Sequence, residues 1–331
     1  MSQTNILLES GTNELEIVEF FIDEVGSDGK VYTGHYGVNV AKVLEIIRKP
    51  QVTAMPNQPH PCVKGAFNLR SRIIPLVDLS LWLGKRMQES EAQKVVVTEF
   101  NNVINAFLVS GVNRIHRLSW TQIEPPDDNL VRYTGSSITG VVKFDDRIIL
   151  ILDMEKIIAD LNPNLTFRLD KSEEAEEGRV AARPVRVLIS DDSSMIRRTL
   201  SRGLEKVGFE VVQTSNGKDA WDRLEAFKHQ AEQEQRPLTD LLNIVVSDIE
   251  MPIMDGHNLC KRIKDDPVLG TLPVILFSSL ITDRLRHKGL AVGADDQISK
   301  PDITILARHI KKLLNERQGF DFAPENGAQG E

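Results

Sequence analysis

Cysteine is nearly absent: Cys62 and Cys260 are the only two in 331 residues. Two thiols cannot build a disulfide framework or a Cys-rich zinc site, and such sparing use fits a reducing compartment. Long apolar runs are missing as well. No stretch approaches the roughly 20 residues a membrane span needs. The opening MSQTNILLES has neither the basic n-region nor the long apolar h-region of a signal peptide. The sequence therefore predicts a cytoplasmic protein with no direct membrane insertion. An excess of positive charge is lacking too: 40 Lys and Arg stand against 48 Asp and Glu, a net −8 spread evenly along the chain. Neither half is a basic module built to neutralise phosphates, which argues against nucleic acid as a partner.

What is present suffices for about two domains at the usual 100–200 residues each. With 41% hydrophobic and 27% charged residues, each half can bury an ordinary core. The clearest seam is DKSEEAEEGRVAARP, residues 170–184, which is rich in acids and almost free of large apolar side chains. That is linker composition, or else a short charged surface helix. The expected division is a first domain over 13–169, a linker over 170–183, a second domain over 184–317 and a fraying polar tail over 318–331.

Strand signals dominate before the seam. Val95–Thr98, Ala106–Val109 and Ile148–Leu152 are short apolar runs broken by Gly, Asn, Asp and Pro. Helical spacing is brief, over Val40–Ile47 and Asp153–Leu161. This half also repeats itself: VKGAFNLRSRIIPLVDLSLWL aligns without gaps on ITGVVKFDDRIILILDMEKII, 75 residues later. Gly65/Gly140, Arg72/Arg147, Ile73/Ile148, Ile74/Ile149 and Asp78/Asp153 are identical pairs. A supersecondary unit used twice implies two related small barrels in one domain. No catalytic constellation accompanies them. Gly135-Ser136-Ser137-Ile138-Thr139 fails the nucleophile-elbow pattern at its last residue, and His35, His60 and His116 have no metal-ligand spacing.

After the seam, strands alternate with helices, which argues for a parallel sheet covered on both faces. Val185–Ile189, Asn243–Ser247, Pro273–Phe277 and Asp296–Ser299 read as strands. A helix capped by Ser193 or Ser194 shows an apolar face at Ile196, Leu200 and Leu204, and a last helix shows one at Leu306, Ile310, Leu313 and Leu314. In such sheets ligands bind beyond the carboxyl ends of the strands. Here those ends carry Asp191-Asp192, Asp248, Ser278-Ser279 and Lys300-Pro301. Each alone could be turn or cap chemistry. Their common placement is harder to dismiss, because three carboxylates at one rim repel one another and call for a cation. All-oxygen ligands favour Mg²⁺ over Zn²⁺, and a carboxylate beside Mg²⁺ and a lysine suits phosphoryl transfer.

LISDDSS, VVSDIEMPIMDG, PVILFSS and ISKPD resemble the signature segments of a two-component receiver domain, a (βα)5 flavodoxin-like α/β fold. The resemblance implies Asp248 as acceptor of a phosphoryl group from a histidine kinase and Asp192 as a direct Mg²⁺ ligand. It implies Asp191 acting through a water and the backbone carbonyl of Glu250 completing the metal site. Ser278 and Lys300 would then contact phosphoryl oxygens. Gln297 departs from the pattern, since many receivers carry Tyr or Phe there; Asp302 after Lys-Pro is a second departure. Glu250 and Leu280 sit where the family tunes phosphoryl lifetime.

The first half resembles the CheW-like coupling domain of bacterial chemotaxis, an all-β fold of two SH3-like five-stranded barrels. The segments that carry this are VKGAFNLRSRIIPLVDL, IEPP and ITGVVKFDDRIILILDM. The resemblance implies chemoreceptors and the chemotaxis histidine kinase as partners, with Arg70 at a receptor contact. Ser71 stands where that family usually has Gly. A CheW-like domain followed by a receiver resembles the CheV family. That implies a coupling adaptor at membrane-bound receptor arrays, regulated by phosphorylation at Asp248 and not itself a turnover enzyme. The alternative is a phosphate sink that drains the kinase.

Overall fold

Two kinds of hydrophobic periodicity produce two kinds of sheet in the computed structural model. It describes residues 14–56, 60–100, 103–134, 137–161, 184–279, 283–300 and 303–322. The chain divides after Pro163 into two units. The expected linker over 170–183 lies outside the described residues. Among those described, no helix is long and apolar enough to cross a membrane.

The first unit is built from β1 (Glu14–Val25), β2 (Val31–Asn39), β3 (Val43–Arg48), β4 (Val63–Leu69), β5 (Arg72–Asp78), β6 (Lys94–Phe100), β7 (Val103–Val109), β8 (Gly111–Ser119), β9 (Ile123–Glu124), β10 (Ile138–Lys143) and β11 (Ile148–Leu152). Three short helices join them: α1 (Leu79–Trp82), α2 (Asp128–Thr134) and α3 (Met154–Leu161). The strands form two sheets, in the orders β3-β6-β7-β5-β4 and β8-β1-β2-β11-β10-β9. Each sheet curls round its own core, because side chains from most of its strands meet in one cluster. Phe67, Ile74, Leu76, Val95, Val97 and Leu108 fill the first; Ile17, Leu118, Trp120, Ile123, Ile149 and Ile151 fill the second. The second sheet has six strands where five were expected, because the two-residue β9 pairs with β10.

The repeat is structural as well as textual. β4–β5–α1 and β10–β11–α3 are the same unit, down to an irregularity of register between Val63 and Gly65 and between Ile138 and Gly140. β5 then runs parallel to β7, as β11 does to β2. Asp78 and Asp153 each accept hydrogen bonds from the backbone of the helix that follows. The helix expected over Val40–Ile47 is not formed. A single 3-10 turn (Val40–Lys42) leads into β3, whose Ile46 and Ile47 pair with Val96 and Val95. β-branched residues paired with a neighbouring strand override a short helical spacing.

The second unit is a parallel sheet of β12 (Val185–Ser190), β13 (Phe209–Thr214), β14 (Ile244–Ser247), β15 (Val274–Ser278) and β16 (Asp296–Ser299), in the order β13-β12-β14-β15-β16. Its helices are α4 (Ser194–Lys206), α5 (Gly217–Gln233), α6 (Gly256–Asp265), α7 (Asp283–Ala291) and α8 (Ile303–Gln318). Alternation along the strands sends Val187, Ile189, Val246 and Phe277 to one face, under α4 and α8. Leu188, Val245 and Leu276 face the other, under α5 and α6. Ser193, not Ser194, caps α4. The chain does not fray at residue 318: Phe320 is buried and stacks on Phe322, which meets the edge of Phe209.

One polar cluster interrupts the apolar interior of the first unit. Glu19 falls within a register shift between β1 and β8, and its carboxylate is fully buried. Arg147 donates to it through Nε at 2.9 Å and Nη2 at 3.1 Å, Asn113 at 2.9 Å, His35 Nδ1 at 2.9 Å and His116 Nε2 at 2.6 Å. Two histidines that the sequence leaves scattered thus converge, as structural donors on a saturated carboxylate. Burial alone would raise the Glu19 pKa, but the hydrogen bonds from Arg147, His116 and Asn113 outweigh it and hold the group at about 2. Because the folded value is depressed, this stabilisation is complete above the ordinary 4.5 and fades as pH falls towards 2. Glu19→Gln should cost about 3 kcal/mol in urea unfolding at neutral pH. The gap from wild type should narrow as the pH is lowered through that window.

Candidate functional site

Topology brings the acidic residues together. From β12 the chain crosses to β13 on one side and then to β14 on the other, so a crevice opens at the carboxyl ends of β12 and β14. Ser190 and Ser247 pair as the last residues of these strands, and the Asp248 amide donates to the Ser190 carbonyl at 2.8 Å. Asp191-Asp192 and Asp248 therefore leave the sheet side by side. Their carboxylates supply oxygens within 4.8 Å of one another, the one such grouping able to hold a metal among the described residues. Lys300, following β16, reaches into the cluster with Nζ 2.6 Å from Asp191 and 3.3 Å from Asp248. Asp191, Asp248 and Lys300 are all buried. A donor set made only of carboxylate oxygen fits a hard divalent cation such as Mg²⁺.

Ser278 ends β15 and is buried; its carbonyl accepts from the Lys300 amide at 2.9 Å, so hydroxyl and ammonium are carried by adjoining backbone. Glu250 lies two residues beyond Asp248, half-buried in the same loop. That loop is tightly folded. Ile253 takes φ 67°, Asp255 caps α6 through the Asn258 amide at 2.7 Å, and burial pushes its carboxyl up to about 6. Gly256 is required here, since a Cβ would sit 2.0 Å from the Asp248 carbonyl oxygen. Sequence reasoning missed Arg197, whose guanidinium bonds to the main chain at Asp191 and Asp192. An arginine on an amphipathic helix gives no signal of that kind.

Arg70 lies in the other unit, at the two-residue turn between β4 and β5. It is exposed, and its Nη2 pairs with Glu45 at 3.2 Å. Arg70 and Ser71 both hold positive φ, 49° and 67°, the conformation a tight hairpin imposes on its central residues. Neither is a glycine, so the tip is strained.

Comparison with known proteins agrees with this division. Residues 30–162 match the CheW-like domain and residues 187–311 the response regulator receiver domain. Over 311 residues the chain is 35% identical to chemotaxis protein CheV3 of Helicobacter pylori, covering 92% of this chain and 96% of that protein. The chain belongs to the CheV-type chemotaxis proteins. It is also 28% identical over 293 residues to CheV2 of the same organism, covering 85% of this chain and 90% of that protein. With chemotaxis protein CheW of Thermotoga maritima it shares 31% identity over 154 residues, 46% of this chain and 94% of that protein.

Within this CheV-type receiver, Gln297 has its own anchorage. Its Nε2 donates to the Arg286 carbonyl of α7 at 2.8 Å. Its carboxamide lies so close to Gly289 that a Cβ there would come within 2.4 Å. A polar latch from β16 to α7 thus occupies the place of an aromatic side chain. In the CheW-like unit, replacing Ser71 by glycine should relieve the turn. Ser71→Gly is expected to raise stability by about 0.5–1 kcal/mol, seen as a higher urea midpoint with an unchanged slope.

Proposed function

We propose that this protein is a chemotaxis coupling adaptor controlled by phosphorylation of Asp248. The CheW-like unit would bind chemoreceptors and the chemotaxis histidine kinase at membrane-bound arrays, and the receiver would take phosphoryl groups from that kinase. The observation that carries this reading is the meeting of Asp191, Asp192, Asp248 and Lys300 in one buried cluster, on a chain that also holds CheW-like barrels.

In the transfer, a carboxylate oxygen of Asp248 forms a bond to phosphorus as the N–P bond of the kinase phosphohistidine breaks, returning the imidazole to the kinase. The carboxylates of Asp191, Asp192 and Asp248, with the carbonyl of Glu250, would hold Mg²⁺, Asp191 through a water. Bound there, the cation would neutralise charge on the phosphoryl oxygens. Lys300, already paired with Asp191 and Asp248, would pair with one phosphoryl oxygen, and the Ser278 hydroxyl would donate to another. A new dianion at Asp248 redistributes the charge that Lys300 now shares between two carboxylates, and the elements carrying Ser278 and Lys300 shift with it. The protein assists its own modification; it is a substrate of the kinase, and the output is an altered binding surface.

Asp248→Asn should abolish transfer of label from phosphorylated kinase in the presence of Mg²⁺; label retained on the variant would exclude Asp248 as the acceptor. The same variant should also change receptor-stimulated kinase activity in reconstituted arrays. If that activity is indifferent to phosphorylation of the wild type, the protein is a phosphate sink instead. Arg70→Ala should weaken capture by receptor signalling domains several-fold while labelling of Asp248 proceeds at the wild-type rate. Undiminished capture would remove Arg70 from the receptor surface.

A further inference from the structure

Arg197 stands on the first turn of α4, and its side chain folds back over the β12–α4 loop. Its Nη1 donates to the main-chain carbonyl of Asp191 at 2.6 Å and to that of Asp192 at 3.0 Å. These carbonyls belong to the two residues whose carboxylates meet Asp248. The same short loop is gripped elsewhere: Asp191 Oδ1 accepts from the Ser193 amide at 2.9 Å, and Asp191 Oδ2 accepts from Lys300 Nζ at 2.6 Å. The Arg197 amide itself bonds to the Ser193 carbonyl at 3.0 Å, so the arginine is fixed to the loop that it clamps.

We infer that Arg197 is a positioning residue for divalent-cation binding: by holding both peptide carbonyls it keeps the Asp191 and Asp192 carboxylates converged on Asp248. The inference rests on the acidic cluster being the cation site proposed above. Two physical arguments predict opposite outcomes when Arg197 is removed. Seen as a point charge, Arg197 repels an incoming cation, and its loss would tighten binding. Seen as a clamp, it opposes the tendency of like-charged carboxylates to spread apart, and its loss would relax the loop and weaken binding. The contacts favour the clamp. The guanidinium spends its hydrogen bonds on neutral carbonyls rather than on the carboxylates, and those bonds fix backbone planes. Both bonds leave the same nitrogen, Nη1; lysine keeps the charge, but its ammonium sits one bond shorter on the side chain and reaches the two carbonyls less well.

The test is a calorimetric titration of the full-length protein with MgCl2, comparing wild type, Arg197→Gln and Arg197→Lys. Arg197→Gln should weaken Mg²⁺ binding about tenfold, the scale on which supporting partners of metal ligands act, and Arg197→Lys should recover part of the loss. The Mg²⁺ concentration giving half-maximal labelling from phosphorylated kinase should rise by the same factor. The labelling rate at saturating Mg²⁺ should stay within about twofold of wild type, since supporting partners act on affinity. Mg²⁺ binding that is unchanged or tighter in Arg197→Gln overturns the inference and leaves the cation site standing. Wild-type protein that binds no Mg²⁺ overturns both. Should Arg197→Gln fail to fold, Arg197→Lys decides alone: unaltered Mg²⁺ affinity in it refutes the clamp.

Discussion

The repulsion among three carboxylates at the end of one sheet is the constraint around which the second unit is organised. Such a cluster is tolerable only if cations and donors surround it, and the fold supplies them from the residue after β16 and from the start of α4. Lys300 pairs with two of the acids, the Ser193 amide caps one of them, and Arg197 restrains the backbone between. The loop after Asp248 turns so sharply that only glycine fits at 256. These devices come from separate parts of the sequence and serve a single charge problem.

The two units answer different physical demands. The receiver concentrates charge in a buried crevice where low polarity strengthens each interaction. The CheW-like unit saturates its buried Glu19 with donors from β2, β8 and the turn between β10 and β11. Its strain is at the surface, in a hairpin tip whose two central residues both take positive φ. Arg70 is displayed at that tip.

Much of this was legible in the sequence, because the informative patterns were local. The ungapped repeat carried its glycine and its capping aspartate into both copies, so the doubled unit could be read directly from Gly65/Gly140 and Asp78/Asp153. Strand-end Asp191, Asp192, Asp248 and Lys300 were readable because an open parallel sheet places all its carboxyl ends together. What escaped depended on long-range partners. Arg72 and Arg147 are identical in the repeat, yet Arg72 is exposed and Arg147 binds a buried acid, because only one barrel offers Glu19. The spacing of Val40–Ile47 favoured a helix until β6 was there to pair with it. Phe320 and Phe322 looked like part of a polar tail, since nothing nearby in sequence announces Phe209 as their partner.

That aromatic stitch fixes where the receiver is wired into the rest of the chain. Val185 opens β12 and Phe209 opens β13, so the chain enters the unit, and leaves it past Phe322, at the amino ends of the strands. Asp248 is at the opposite pole. A six-residue strand spans roughly 20 Å, so the length of β12 separates Asp248 from the connecting chain. Lys300, 3.3 Å from Asp248, follows the strand that α7 and α8 flank, so the acidic cluster is linked to those helices and not to the tether.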